Sequence, residues 1–565
     1  MTDTRQHGAI EPGTLDSGPL AAALEDAYRQ LERSRFSDAL WARSLDVWSA
    51  DPAVRQQISN RLGWLDVFAV ESPHAPRVEA FAESLRGGNI SDVVLLGMGG
   101  SSLAPEVLRA VIGVAPGSPR FQVLDSVDPE SVNAAMARAA TSLFVLASKS
   151  GATIEPNALA AEAERRLREA GVTTPGSRFV AITDEGTALH HRALSQHFRE
   201  VFINPSDIGG RYSALSLFGL VPAALMGIDI HRVLASARAM ADACRGADPR
   251  RNPGLALGAF IAAAARVGRD KLTLVLPPRL EPLGLWAEQL VAESTGKQGK
   301  GVVPVFGEAT EVPPSDDRII VQLSLDNQPP AFATVNGEGA APTPTIAIQI
   351  PDVAALGAEF FRWELATATA GWLLDVNPFD EPNVQQAKDA TRLLLDRYSA
   401  AGQVPVREPD AVIDGVRLTL TDAARHVAEP VKILRLLQPS DYFGLLAYLP
   451  PETEAFAQAL QALRHDVAAR TGLATTLGYG PRYLHSTGQL HKGGPNTGVF
   501  ILVTADIAAD LPIPGAPYSF GVLELAQATG DFESLNRTGR RALQIHLPGR
   551  DPDSLRRIAR LILAS

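Results

Sequence analysis

The sequence predicts an α/β protein: two doubly wound parallel-sheet units followed by a smaller C-terminal α/β unit. Three observations carry this. Short apolar runs recur along the chain, and several end in polar, glycine-bearing turns. Segments with helical spacing lie between those runs, an alternation that implies parallel strands covered on both faces. The alternation begins again after about residue 225, and a third, smaller unit follows a loosening at 399–410.

Taken in order, residues 1–17 read as a loose tail, and helical periodicity follows in "LAAALEDAYRQLERSRF" and near "PAVRQQISNRLGWLDV". "DVVLLG" (92–97), "FQVLDS", "LFVLAS", "RFVAIT" and "EVFINP" read as strands, with "APEVLRAVIG" and "IEPNALAAEAERRLREAG" as helices between them. Right-handed crossovers then align the strand C-termini along one edge. The second set of strands is "LTLVLP" (272–277), "VVPVFG", "RIIVQLS" and "PTIAIQI" (344–350), followed by the helical "GAEFFRWELATATAGWLLD". "NQPPAFATVNGEGAAPTPT" reads as a long surface loop and "SAAGQVPVREPD" (399–410) as a linker. "FGLLAYLP", a helix in "TEAFAQALQALRHDVAARTG", "GVFILVT", "ALQIHLPG" and a terminal helix make the third unit. The expected domains are therefore 1–225, 226–400 and 401–565.

Composition narrows the function. Hydrophobic residues make up 45% of the 565 and charged residues 20%, which suits sizeable cores rather than disorder. A net charge of −11 argues against a general partner for nucleic acid or anionic membrane. An anion remains bindable in a local pocket of backbone N–H groups and a few cations. The single cysteine, Cys244, excludes a disulfide framework within the chain and reads as a buried thiol. The N-terminus lacks signal-peptide features, and the most apolar segments are too short or are broken by Pro222, so a cytoplasmic protein without membrane spans is expected. The histidines show no metal-ligand spacing, so no metal is expected.

Two turns stand out chemically. "GMGGSSLAP" (97–105) offers glycines for close backbone approach and the hydroxyls of Ser101 and Ser102. In "LFVLASKSGATIEPN" (143–157) a strand gives way to Ser148, Lys149, Ser150, Gly151 and Thr153, and a helix follows at once. Hydroxyls, a lysine and free N–H groups at a helix start make a phosphate cradle. Neither turn has Walker A spacing or a dinucleotide fingerprint with a ribose-binding acid.

With "NPSDIGGRYSALSLFGL" (204–220), "ESTGK" (293–297) and "NPFDEPNVQQAK" (377–388), these motifs resemble, in order and context, the phosphoglucose isomerase family over about residues 90–390. The tail, with "LHSTGQLHKGGPNTG", is similar to the isomerase half of bifunctional transaldolase/phosphoglucose isomerase fusions. No transaldolase-sized segment precedes it, so the resemblance implies isomerase activity alone, without a cofactor. It also implies two sugar-isomerase (SIS) domains with the active site between them.

By the same resemblance Glu293 is the base and Arg211 the cation beside the enediolate. Ser148, Lys149, Ser150 and Thr153 hold phosphate, Gly100 and Ser101 meet the sugar end, and Lys388 assists ring opening. The chemistry agrees: aldose–ketose isomerisation needs one carboxylate that takes a proton from C2 and returns it at C1. The chain departs from the family twice. Glu381 stands where members often carry glutamine, and residues 294–388 contain no histidine where the family has one for ring opening. His485 and His491, in a Gly/Ser/Thr-rich segment, are the candidates to replace it, with His491 preferred because it adjoins Lys492 and the glycine pair. The expected reaction is interconversion of glucose 6-phosphate and fructose 6-phosphate. A dual phosphoglucose/phosphomannose isomerase and a non-catalytic sugar-phosphate sensor are the alternatives. A homodimer and a separately encoded transaldolase as partner are compatible with the resemblance.

Overall fold

A computed structural model of the chain describes residues 10–308, 315–325, 343–427 and 429–565. Among these residues the strands form three sheets. A short N-terminal strand, β1 (Thr14–Asp16), precedes the helices at Ala21–Arg33 and Pro52–Ser59. The first sheet holds β2 (Asp92–Leu96), β3 (Arg120–Leu124), β4 (Ser142–Ala147), β5 (Phe179–Asp184) and β6 (Glu200–Asn204), all parallel, in the order β3-β2-β4-β5-β6. The middles of its central strands are apolar runs because both faces are covered. Val93, Leu95, Leu143 and Val145 enter one core, and the alternate residues Val94, Leu96, Phe144 and Leu146 enter another.

The second sheet contains β7 (Lys271–Val275), β8 (Val303–Val305), β9 (Arg318–Leu325) and β10 (Thr345–Ile350), in the order β1-β10-β9-β7-β8. The tail is therefore not wholly loose: Thr14, Leu15 and Asp16 pair antiparallel with Ala347, Ile346 and Thr345. Gly13 takes a positive φ of 109°, and a Cβ there would lie 2.7 Å from the Ala347 carbonyl. Arg362 fixes the same segment by donating to the Glu11 carbonyl at 2.9 Å. The long loop expected between β9 and β10 lies almost wholly outside the described residues.

The expected linker starts later than the sequence suggests. The Pro382–Ala401 helix runs through 399–401 and stops at Gly402, whose φ of 74° closes it. Beyond it, β11 (Ala411–Ile413), β12 (Val416–Leu420), β13 (Tyr442–Ala447), β14 (Ala474–Tyr479), β15 (Gly498–Ala505) and β16 (Arg541–Leu547) form a six-stranded sheet in the order β11-β12-β16-β15-β13-β14. Four strands are parallel, and β12 and β11 add an antiparallel edge. The sequence reading found β13, β15 and β16 but not β11, β12, β14 or the Phe520–Arg537 helix.

The three units share cores. The N-terminal helices, one face of the first sheet and the second sheet are continuous. The other face of the first sheet packs against Leu394, Leu395, Phe520 and Leu523. Cys244 is buried, and burial pushes its thiol up to about 12. No helix among the described residues is long and apolar enough to cross a membrane.

Candidate active site

In the first sheet the chain leaves β2 toward β3 and then crosses back to β4. The turns after β2 and β4 thus diverge at a topological switch point, where an open α/β sheet leaves a crevice. These are the "GMGGSS" and "SKSGAT" turns. Gly99 has a φ of 55°, and a Cβ there would lie 2.8 Å from the His485 carbonyl oxygen. At Gly100 a Cβ would lie 1.9 Å from the Gly210 carbonyl, so the turn preceding Arg211 is seated directly on it. Ser101 is half-buried beside them.

Glu293 lies on the last turn of the Leu283–Thr295 helix, every described polar side chain of which is buried, including Glu288, Gln289, Ser294 and Thr295. Burial pushes the Glu293 carboxyl up to about 7; Arg211, His485 and Lys297 oppose that rise, and Glu381 adds to it. Arg211, 4% exposed, donates through Nε to Ser294 Oγ at 2.8 Å and through Nη2 to the carbonyls of Pro378 (2.8 Å) and Asp380 (2.9 Å). Its Nη1 donates to Glu381 Oε2 at 3.0 Å and stands 3.7 Å from Glu293 Oε2. Burial works against the guanidinium charge, and the two carboxylates outweigh it, raising the pKa of Arg211.

The lysines of "ESTGKQGK" serve the backbone. Lys297 Nζ is buried and donates to the carbonyls of Asn377 and Asp380, and to Asp380 Oδ1 at 2.7 Å. Burial pulls its pKa down to about 8, Arg211 adds to the fall, and Asp380 opposes it. Lys300 Nζ donates to the Leu374 carbonyl at 2.9 Å. Arg211 and Lys297 together therefore hold the 377–381 turn in place. Gly296 acts by leaving room. A Cβ there would lie 2.5 Å from Leu490 Cα, so its absence lets the Gly488–Gly493 helix dock. Gln489 secures the contact, donating to the Gly296 carbonyl (3.0 Å) and to Asn383 Oδ1 (2.7 Å).

That docking brings His485 to the first unit. His485 Nε2 lies 2.9 Å from Glu155 Oε1, which also accepts from Gln527 Nε2 at 2.6 Å. Gln289 Nε2 bridges the His485 carbonyl (2.7 Å) to Glu293 Oε2 (3.3 Å). Burial raises Glu155, but the charge and hydrogen bond of His485, with Lys388 further off, hold it below the usual carboxylate value. Lys388 is exposed on its helix and its field reaches this pair. His491 is elsewhere. It is 3% exposed, its ring lies 5.0 Å from Phe500 and 6.1 Å from Tyr483 between centroids, and its Nδ1 has no partner. Burial drives it well below the ordinary histidine range, so it is neutral. The reason for preferring it, the neighbouring Lys492, fails because that ammonium is paired with Asp531 at 2.6 Å.

In the second turn Ser148 Oγ and Thr153 Oγ1 lie 3.2 Å apart, and the Gly151 and Ala152 amides donate to Ser148 Oγ (3.1 Å) and Ser150 Oγ (3.3 Å). Thr153 is the first residue before the Ile154–Glu169 helix yet makes no side-chain cap, leaving the helix start open. Lys149 Nζ is held by Asp184 Oδ2 (2.5 Å) and the Ser206 carbonyl (2.8 Å). Sequence reasoning overlooked Glu155, Gln289, Ser294 and Gln527. Glu155 was inside a quoted motif, and only its being the first acidic residue of a helix marked it.

A doubly wound framework with a buried carboxylate and arginine where its turns converge defines a sugar-isomerase-type protein. The phosphoglucose isomerase family model matches residues 75–304. A glucose-6-phosphate isomerase of Synechococcus sp. (strain CC9902) is 30% identical over 401 residues, covering 61% of this chain and 74% of its own. That of Parasynechococcus marenigrum (strain WH8102) is 29% identical over 462 residues, covering 74% and 82%. Among solved structures, a hypothetical protein from Thermus thermophilus aligns with a TM-score of 0.55 at 24% identity, over 67% of this chain and 99% of its own. A glucose-6-phosphate isomerase from Chlamydia trachomatis D/UW-3/Cx gives 0.51 at 18%, over 67% and 86%. The chain belongs to the phosphoglucose isomerase family.

Proposed function

We propose that the chain interconverts glucose 6-phosphate and fructose 6-phosphate, a step of glycolysis and gluconeogenesis, through a cis-enediolate. The observation that carries this reading is a buried carboxylate, Glu293, with Arg211 Nη1 3.7 Å from it. A base must be ionised near neutral pH and basic enough to take a carbon-bound proton, and a carboxylate raised toward 7 suits both demands. Arg211, held by four fixed partners, faces the developing enediolate charge without needing to reorganise; preorganised donors of this kind are commonly worth roughly 3–4 kcal/mol. His485, oriented by Glu155, and Lys388 take the ring-opening proton transfer in this reading, and His491 takes none. The phosphate rests on the hydroxyls of Ser148, Ser150 and Thr153, the Lys149 turn and the open helix start, with Gly100 and Ser101 at the sugar end.

The division at about residues 225 and 400 belongs to the same proposal and is supported by the three separate sheets. Arg211 and Glu155 then come from the first unit, Glu293 and Lys388 from the second, and His485 from the third. A cytoplasmic setting, a homodimer and a separately encoded transaldolase as partner are further parts of it. The test is a coupled assay on purified protein with glucose 6-phosphate and mannose 6-phosphate as competing aldoses, together with Glu293→Gln. Turnover of glucose 6-phosphate, lost in the variant while sugar-phosphate binding persists, is the expected result. Unchanged turnover in Glu293→Gln removes that residue as the base, and no fructose 6-phosphate from the parent protein removes the activity.

A further inference from the structure

The Ser148–Thr153 turn carries one side-chain cation, Lys149, and Asp184 already neutralises it at 2.5 Å. A phosphate monoester is close to a dianion near neutral pH, so hydroxyls and amides alone leave its charge poorly matched. A second cation stands nearby. Arg61 lies in the connection after the Pro52–Ser59 helix, and that connection is fastened to the loop at 206–209. Gly63 N donates to the Asp207 carbonyl at 3.0 Å, and a Cβ on Gly63 would lie 2.3 Å from the Asp207 carboxylate. The Arg61 stem crosses the same loop, its Cδ 3.5 Å from the Cβ position of Gly209. This loop joins both ends of the site: the Ser206 carbonyl holds Lys149, and Arg211 follows two residues after Gly209.

We propose that Arg61 is a further phosphate-binding residue, supplying to the substrate's monoester the positive charge that the Ser148–Thr153 turn lacks. This rests on the sugar-phosphate isomerase reading above. Arg61 is half-buried, and the only hydrogen bond of its side chain among the described residues is from Nη1 to the neighbouring Asn60 carbonyl at 2.7 Å. No described carboxylate lies within ion-pair distance of it, although Asp207 belongs to the same loop. The positive charge of Arg61 favours the ionised form of both Asp184, beside the phosphate turn, and Glu381, beside Arg211. A half-buried arginine whose guanidinium has no carboxylate partner among the described residues is suited to bind a phosphate bidentately.

The experiment compares Arg61→Gln and Arg61→Lys with the parent protein in steady-state kinetics and in calorimetric binding of inorganic phosphate. Arg61→Gln is expected to raise KM for fructose 6-phosphate and the phosphate dissociation constant together by roughly tenfold to a hundredfold. The kcat is expected to stay within about threefold of the parent, the melting temperature to hold, and Arg61→Lys to recover part of the loss. A folded Arg61→Gln with KM and phosphate affinity unchanged overturns the proposal. So does a fall in kcat alone, with phosphate affinity intact and no recovery in Arg61→Lys, which is the mark of a structural arginine. Phosphate binding is read without turnover. A protein that binds phosphate through Arg61 but does not isomerise therefore defeats the activity reading, not this one.

Discussion

Arg211 Nη1 serves two carboxylates, Glu381 at 3.0 Å and Glu293 at 3.7 Å. Glu381 has the shorter contact and carries a negative charge that disfavours ionisation of Glu293. Replacing it by glutamine, the residue often found there in the family, removes that charge and leaves the guanidinium field to Glu293. Both effects lower the pKa of the base. The base acts ionised, so kcat/KM falls as pH drops through its pKa. In Glu381→Gln the acid limb of the kcat/KM profile is therefore expected to move to lower pH. A limb that stays in place, or moves up, shows that Glu381 does not tune Glu293.

The same raised pKa has a stability consequence with the opposite sign from an ordinary salt-bridged carboxylate. Below about 4.5 Glu293 is protonated in both folded and unfolded chains and contributes no pH dependence. Between about 4.5 and about 7 the unfolded chain sheds the proton while the folded chain keeps it, so folding is progressively disfavoured, and the penalty is constant above that window. Glu293→Gln is expected to melt higher than the parent at pH 8, with the gap closing toward pH 4.5. Melting curves at the two pH values check this, and a variant that melts lower at pH 8 shows that the Arg211 contact outweighs burial.

His485 and His491 separate function from packing. His485→Asn removes a ring that touches Glu155 at 2.9 Å and is expected to lower kcat by about 10²-fold or more while changing the melting temperature little. His491→Ala empties a site between Tyr442, Tyr483 and Phe500 and is expected to cost about 2–4 kcal/mol of stability. Kinetics and melting of the two variants side by side decide the assignment. If kcat collapses in a fully folded His491→Ala and survives in His485→Asn, the roles are reversed.

The legible part of the sequence was the part governed by local chemistry. The runs of β2 and β4 are apolar without a break because two cores meet there, and the turns after them had to be small and polar. The Ser148–Thr153 turn could be singled out for the same reason, whereas Glu293 and Arg211 were marked by the resemblance of their motifs to the family. What local patterning did not carry was partnership across units. Nothing near Gly99 says that the His485 backbone rests on it, and nothing near Gly296 says that Leu490 does. Lys149 looked like a substrate cation because the residue that occupies it, Asp184, is far along the chain. The strand β14, "ATTLGY", lacks a run of large apolar residues, and β1 is three residues borrowed by a distant sheet edge.

The segment that presents His485 is itself held by one buried acid, Asp531. Asp531 accepts from Tyr483 Oη at 2.6 Å and pairs with Lys492 Nζ at 2.6 Å, with side chains 1% and 3% exposed. Its two oxygens thus fasten residues on either side of His485, one in the 482–485 turn and one in the docking helix. Asp531→Asn keeps the shape but leaves the ammonium buried without a counter-charge, a loss of about 3–5 kcal/mol for pairs of this kind. The freed turn is expected to let His485 drift from Glu155, so kcat falls with stability. Lys492→Met in the same chain removes the stranded charge, and the double variant is expected to regain most of the stability, since apolar replacements of buried pairs are often neutral. Denaturant unfolding and kinetics of the single and double variants check both statements. If the double variant is no more stable than Asp531→Asn, the pair is not the clasp, and the Tyr483 hydrogen bond alone carries the segment.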